Sequence, residues 1–125
     1  MAQYLLLIYG DQQQSTERWE QMSQEEQKEN LGQWWTYTKE LQDAGAHVAG
    51  EALHPVAAAK TVRVRDGERL VTDGPFAETK EQLGGFYLIE VETEGEAVEW
   101  AAKIPSVPYG SIEVRPVMVF DEESA

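Results

Sequence analysis

Residues Gln3 to Tyr9 read QYLLLIY, and their apolar side chains fall at odd and even positions alike. A strand covered on one face alternates apolar with polar residues, whereas one buried on both faces does not. This segment is therefore a strand of a sheet that is apolar on both sides. Gly10-Asp11 breaks the run. Whatever follows must roof at least one of its faces.

The chain after this strand supplies the roof. A polar stretch carrying Trp19 and Met22 predicts a short helix. Ser23-Gln24-Glu25-Glu26 has capping-box spacing, with Ser23 as N-cap and Glu26 reaching back. Leu31, Trp34, Trp35, Thr38 and Leu41 then fall on one helical stripe. Gly45 stops the helix as a left-handed C′ residue would. His47 to Leu53 is a second strand. Thr61-Val62-Arg63-Val64-Arg65 alternates, Asp66-Gly67 is a strong hairpin signal, and Arg69 to Thr72 returns. Phe86 to Glu92 (FYLIEVE) is another strand. Thr93-Glu94-Gly95-Glu96 repeats the capping-box spacing, and Ala97, Trp100, Ala101 and Ile104 form the inward face of a helix that Pro105 ends. Ser111 to Phe120 is the last strand, in which Pro116 marks an edge or a bulge.

This order gives an α+β fold: a ferredoxin-like βαββαβ sandwich with an inserted β-hairpin. Both helices cover one face of the antiparallel sheet. The other face stays apolar at Leu5, Leu7, Tyr87 and Ile89, or at their opposite-parity neighbours. Leaving it wet forfeits about 25 cal/mol per Å² of apolar surface. A second copy packed face to face covers it, which predicts a homodimer resembling a dimeric α/β barrel.

Length and composition limit the rest. The 125 residues fit one domain, 1–125, with Asp121–Ala125 expected as a frayed tail. The absence of cysteine removes disulfides, thiolate nucleophiles and cysteine-based zinc sites. The Tyr4–Tyr9 run is too short to span a membrane and no basic segment precedes it, so a cytoplasmic protein is expected. The net charge of −13 repels phosphate backbones and anionic lipid, which argues against nucleic-acid and membrane partners. Two histidines beside scattered carboxylates show no metal-ligand spacing, so no metal is expected. Neither a phosphate loop nor a nucleophile elbow is present, and no cofactor is expected.

One segment concentrates turn and charge chemistry: Thr72-Asp73-Gly74-Pro75-Phe76-Ala77-Glu78-Thr79-Lys80-Glu81, followed by Gly84-Gly85-Phe86-Tyr87. Gly74-Pro75 forces a defined turn, and Asp73 can bond backbone amides beyond it. With Asp73-Gly74-Pro75-Phe76, Glu78, Lys80-Glu81, Gly84-Gly85, Gly50-Glu51-Ala52-Leu53, the Tyr4–Tyr9 strand and Glu113-Val114-Arg115-Pro116, the sequence resembles the YCII-related family in its DGPF branch. The resemblance covers most of the chain. It implies a soluble ferredoxin-like dimer of bacterial origin. It also implies a regulatory setting, because many such proteins are encoded beside extracytoplasmic-function sigma factors. A few YCII-type domains take part in dehalogenation of hydroxylated aromatics. The YCII branch proper carries a His on the first helix and an Asp after the second as a catalytic dyad. Those positions correspond to Trp34 and to the neighbourhood of Ile104, so dyad chemistry does not carry over.

The candidate site residues follow from the polar loop and its surroundings. Asp73, His54 and Glu78 are the candidate proton-transfer residues, with Asp73 otherwise a turn cap and His54 otherwise a surface residue before Pro55. Glu51 stands three residues before His54 and is placed to orient it. Lys80 and Glu78 would hold a polar ligand or pair with each other in solvent. Arg63, Arg65 and Arg115 are candidate anion ligands, with Arg63 and Arg65 on one strand face. Tyr87 joins the ligand-binding set. Trp34, Trp35 and Trp100 are expected in the core rather than stacked on a ligand.

Three functions compete: a small-molecule-binding dimer accessory to a regulatory or stress pathway, an acid/base enzyme for polar or hydroxylated aromatic compounds, and a structural dimer. A closed pocket holding Asp73 beside His54 would favour the enzyme. An open pocket with arginine and no convergent base would favour the binding dimer.

Overall fold

The computed structural model describes residues 1–120, and the tail expected to fray lies outside them. The described elements are β1 (Ala2–Gly10), α1 (Gln12–Gln21), α2 (Gln24–Asp43), β2 (His47–Ala52), β3 (Lys60–Arg65), β4 (Glu68–Asp73), β5 (Gln82–Val91), α3 (Glu94–Ala102) and β6 (Gly110–Pro116). A 3-10 turn spans Val56–Ala58. The main sheet is antiparallel with order β2-β5-β1-β6, and β3-β4 form a separate two-stranded ribbon. With the ribbon set aside, the strands run second, third, first, fourth, which fits a ferredoxin-like α+β sandwich.

Strand parity decides which side chains reach the core. Tyr4 and Leu6 of β1 are buried, as are Tyr87, Ile89 and Val91 of β5. The register sets Tyr4 opposite Ile89 and Leu6 opposite Tyr87, so these side chains share one face. Against them pack Tyr37 and Leu41 of α2, and Ala97, Ala101 and Ile104 from α3 and the turn after it. The opposite face presents Leu5 and Leu7 across from Leu88 and Phe86, all half-buried. The second exposed pair is therefore Phe86 and Leu88, the opposite-parity neighbours of Tyr87 and Ile89.

The helix ends obey their local chemistry. Ser23 Oγ accepts from the Glu26 N–H at 3.1 Å, and the Glu26 carboxylate accepts from the Ser23 N–H at 3.1 Å. Two of the N–H donors at the start of α2 are thereby satisfied. Gly45, at φ 71°, supplies the left-handed exit. At α3, Thr93 Oγ1 accepts from the Glu96 N–H, but the Glu96 carboxylate reaches the N–H of Glu92 rather than that of Thr93. Asp66 and Gly67 both take positive φ, as a type I′ hairpin turn requires.

Three readings need correction. Leu31 is half-exposed, so the N-terminal part of the expected α2 stripe does not reach the core, and Tyr37 takes the core position instead. The last strand ends at Pro116 rather than Phe120. Pro116 sits on the edge strand, where a missing donor is tolerated, and after the Val117 N–H donates to the Gln3 carbonyl at 3.0 Å the chain leaves the ladder. The expected short helix before α2 forms as α1, but Asp11, which sequence reading treated only as a breaker, is its N-cap: Asp11 Oδ1 accepts from the Gln14 N–H.

Candidate functional site

The site begins with an irregularity in β5. The β1–β5 register shifts between Ile8 and Tyr9, which leaves Gly84 without a β1 partner. Beside it, Gly85 lies so close to β2 that a Cβ would come within 2.8 Å of the Glu51 carbonyl oxygen. A Cβ on Gly50 would stand 2.8 Å from Tyr87 Cδ1. Only glycine fits at these two places, and the sheet there is a bare backbone floor. Helix α2 cannot close onto a floor that offers no side chains. A cleft of about 610 Å³ results, and five of the ten glycines line it. That volume suits a small organic molecule.

The walls are aromatic. Trp34 and Trp35 face the cleft from α2, and Tyr87 rises from β5. Tyr87 is buried, and its hydroxyl shares a 2.7 Å hydrogen bond with Thr38 Oγ1. Its ring meets Tyr37 edge-on at 5.2 Å and His47 at 6.2 Å. Tyr37 in turn meets Trp100 at 6.1 Å. This run of edge-to-face rings ties the cleft wall to the core. The Tyr37 hydroxyl donates to the Trp100 carbonyl at 2.8 Å. Burial, reinforced by Tyr87 and Glu40, pushes the Tyr37 phenol far above its ordinary value of 10.0, so it stays neutral.

Helix α1 stands at one end of the cleft and has no buried residue. Polar bonds hold it there. The Gln12 side-chain oxygen accepts from the Val56 N–H at 3.0 Å, while the Gln12 N–H donates to the Gln82 side chain at 3.1 Å. Gln27 Nε2 donates to the Trp19 carbonyl at 2.9 Å. From α1, Arg18 places its guanidinium over the Tyr109 ring, 4.2 Å from its centroid.

Of the nine candidate residues, Glu51 and Tyr87 line the cleft. Asp73 sits at the end of β4, where its exposed carboxylate pairs with Lys60 across the ribbon. The turn after it is tied down by the Gly74 N–H to the Ala59 carbonyl at 2.7 Å, and by Thr61 Oγ1 to the Gly74 carbonyl at 2.7 Å. His54, Glu78 and Lys80 are exposed and do not line the cleft, and no ion pair joins Glu78 to Lys80. Arg63 reaches the Phe76 carbonyl at 3.5 Å, and Arg65 bonds the carbonyl of Val64. Arg115 pairs with Glu113 on β6. The motif thus divides: Asp73 to Phe76 fastens the ribbon, while Gln82 and Gly84 to Tyr87 build the cleft.

One tryptophan departs from its expected place. Trp35 is 75% exposed against the cleft; Trp34 also lines the cleft but, like Trp100, is half-buried and packed against the core. The reason is the glycine floor, which gives Trp35 nothing to pack on. Sequence reading missed Arg18, Thr38, His47 and Tyr109 as site residues. The clue available was the number of glycines on four separate strands, which has no local signature. Among the described residues, no group of three or more histidine and acidic side chains is placed to share a metal ion, and no helix is long and apolar enough to cross a membrane.

The fold and cleft define a small α+β domain with a preformed pocket beside its sheet. The chain belongs to the YCII-related domain family, whose pattern matches residues 2–121. It is 38% identical over 119 residues to an uncharacterized protein of Rhizobium meliloti (strain 1021), a match covering 94% of this chain and 93% of that protein.

Proposed function

We propose that this chain is a homodimeric binding domain for a small, flat, predominantly apolar molecule held in the glycine-floored cleft. The observation that carries this reading is the contrast between floor and walls. The floor is made of glycines, with no room for a side chain at Gly50 and Gly85, and the wall keeps Trp35 out of the core. A tryptophan that stays 75% exposed beside a preformed apolar cleft is surface that a ligand would cover. The proton-transfer reading through Asp73, His54 and Glu78 has no comparable support, since none of the three lines the cleft.

Pairing is supported by the uncovered sheet face. Leu5, Leu7, Phe86 and Leu88 form its apolar centre, and the Arg115–Glu113 pair lies on β6 at its edge. An apolar centre with a polar rim is the anatomy of an interface between subunits. Each copy carries a net charge of −13, so added salt strengthens pairing by screening the mutual repulsion.

The cleft holds two of the four tryptophans, which makes intrinsic fluorescence its reporter. Titration with a panel of two-ring aromatic compounds should quench this emission saturably, and Trp35→Ala should remove much of the signal without loss of fold. Absence of any saturable change across the panel, confirmed by calorimetry, overturns the binding reading. Sedimentation equilibrium at micromolar concentration should return twice the chain mass of 14.1 kDa. A monomer there overturns the dimer.

A further inference from the structure

We infer that the cleft takes an aromatic monocarboxylate, with Arg18 as the residue that reads the carboxylate. This rests on the cleft being a ligand site, as proposed above. Arg18 is the one lysine or arginine among the residues that line the cleft, in a chain with 23 acidic against 10 basic side chains. Such an excess of acid offers an arginine many carboxylates, yet none lies within ion-pair distance of Arg18 among the described residues. Among the described residues its one side-chain hydrogen bond is to Ser15 Oγ, at 3.4 Å.

The stack on Tyr109 explains how this cation is kept ready. A guanidinium lying over a ring uses its π-face and leaves its in-plane N–H groups free. The ring holds the guanidinium in place, so less conformational freedom is lost when a carboxylate accepts two parallel bonds. Tyr109 is itself set by the bond from its N–H to the Ser106 carbonyl at 2.9 Å. Ser106 lines the same cleft, and its enclosed Oγ is the buried side-chain oxygen without a hydrogen-bond partner among the described residues. A buried hydroxyl left unpaired calls for an explanation, and an acceptor arriving with the ligand provides one.

Charge and shape then limit the ligand. One cation answers one negative group, and the −13 background repels molecules carrying several, which disfavours nucleotides and polyphosphates. Trp34 and Trp35 supply flat walls for the rest of the molecule. An aromatic ring bearing a single carboxylate satisfies both ends of the cleft.

The test is isothermal titration of the full chain with benzoate, indole-3-carboxylate and naphthalene-2-carboxylate, each beside its neutral carboxamide. At least one acid should bind roughly ten- to hundredfold more tightly than its amide, the range expected of charge-assisted hydrogen bonds. Arg18→Gln should erase that preference by weakening the acid far more than the amide. Arg18→Lys, which keeps the charge but loses the fork, should restore part of it. Equal binding of acid and amide by the wild-type chain overturns the role of Arg18 while leaving the cleft as a site. Failure of acids and amides alike, with the fold intact, overturns the proposal together with the site it rests on. A preference that survives Arg18→Gln overturns the assignment to Arg18.

Discussion

The ribbon loop from Asp73 to Lys80 and the cleft beneath Trp34 and Trp35 make opposite use of their residues. The loop carries the concentrated charge and the distinctive Asp-Gly-Pro-Phe run, but the groups at its start are spent on the ribbon: Asp73 on Lys60, Gly74 on Ala59 and Thr61. The cleft carries little charge and is assembled from residues far apart in the chain, but its groups are left available. Among the described residues Arg18 is free of carboxylates, Trp35 is open, and the floor is bare. A conspicuous motif can therefore be a fastening, while a site is marked by capacity left unused.

The largest expected effect separates the two regions through the core. Tyr87→Ala removes a buried ring that is both cleft wall and core, and should cost about 3–5 kcal/mol of stability in chemical denaturation. A loss under about 1 kcal/mol would show that the wall is not coupled to the core. Next, Gly85→Ala forces a methyl against the Glu51 carbonyl and should cost about 1–3 kcal/mol, with ligand binding weakened as the floor shifts. A neutral result would mean that β2 and β5 can separate locally.

A pH dependence sharpens the same contrast. The neutral Tyr37 phenol is favoured in the folded state, so folding binds a proton that the unfolded chain releases near pH 10.0. Its contribution to stability is complete below that pH and is lost as pH rises through it toward the higher folded value. Denaturant midpoints should fall with rising pH above about 10 in the wild type, and fall less steeply in Tyr37→Phe. Equal slopes would assign the alkaline loss to other groups. The smallest effect belongs to the loop. Asp73→Ala removes one exposed ion pair and should change stability by less than about 1 kcal/mol.

Much of the sandwich could be read in advance because its signals are local. The capping box at Ser23–Glu26, Gly45 at a helix end, the Asp66-Gly67 turn and the β5 pattern each announce themselves within a few residues. The parity of β5 could not be fixed from sequence, since Phe86 to Ile89 are apolar on both sides and only the pairing with β1 decides which of them face inward. The site was less legible for the same reason. Gly50, Gly84, Gly85 and Gly110 lie on three strands, and each alone reads as a turn or a weak strand position. Their joint effect appears only when β2, β5 and β6 are brought to one end of the sheet. Arg18 gave no sign either, because its partner Tyr109 is 91 positions away and the helix that carries it buries nothing.

Calorimetric titration of naphthalene-2-carboxylate into the wild type, Trp35→Ala and Asp73→Ala weighs the cleft against the loop directly. Binding should weaken roughly tenfold or more in Trp35→Ala, whose side chain is too exposed to disturb the fold, and stay within about twofold in Asp73→Ala. Full affinity in Trp35→Ala with binding abolished in a folded Asp73→Ala would move the site to the loop and contradict the account.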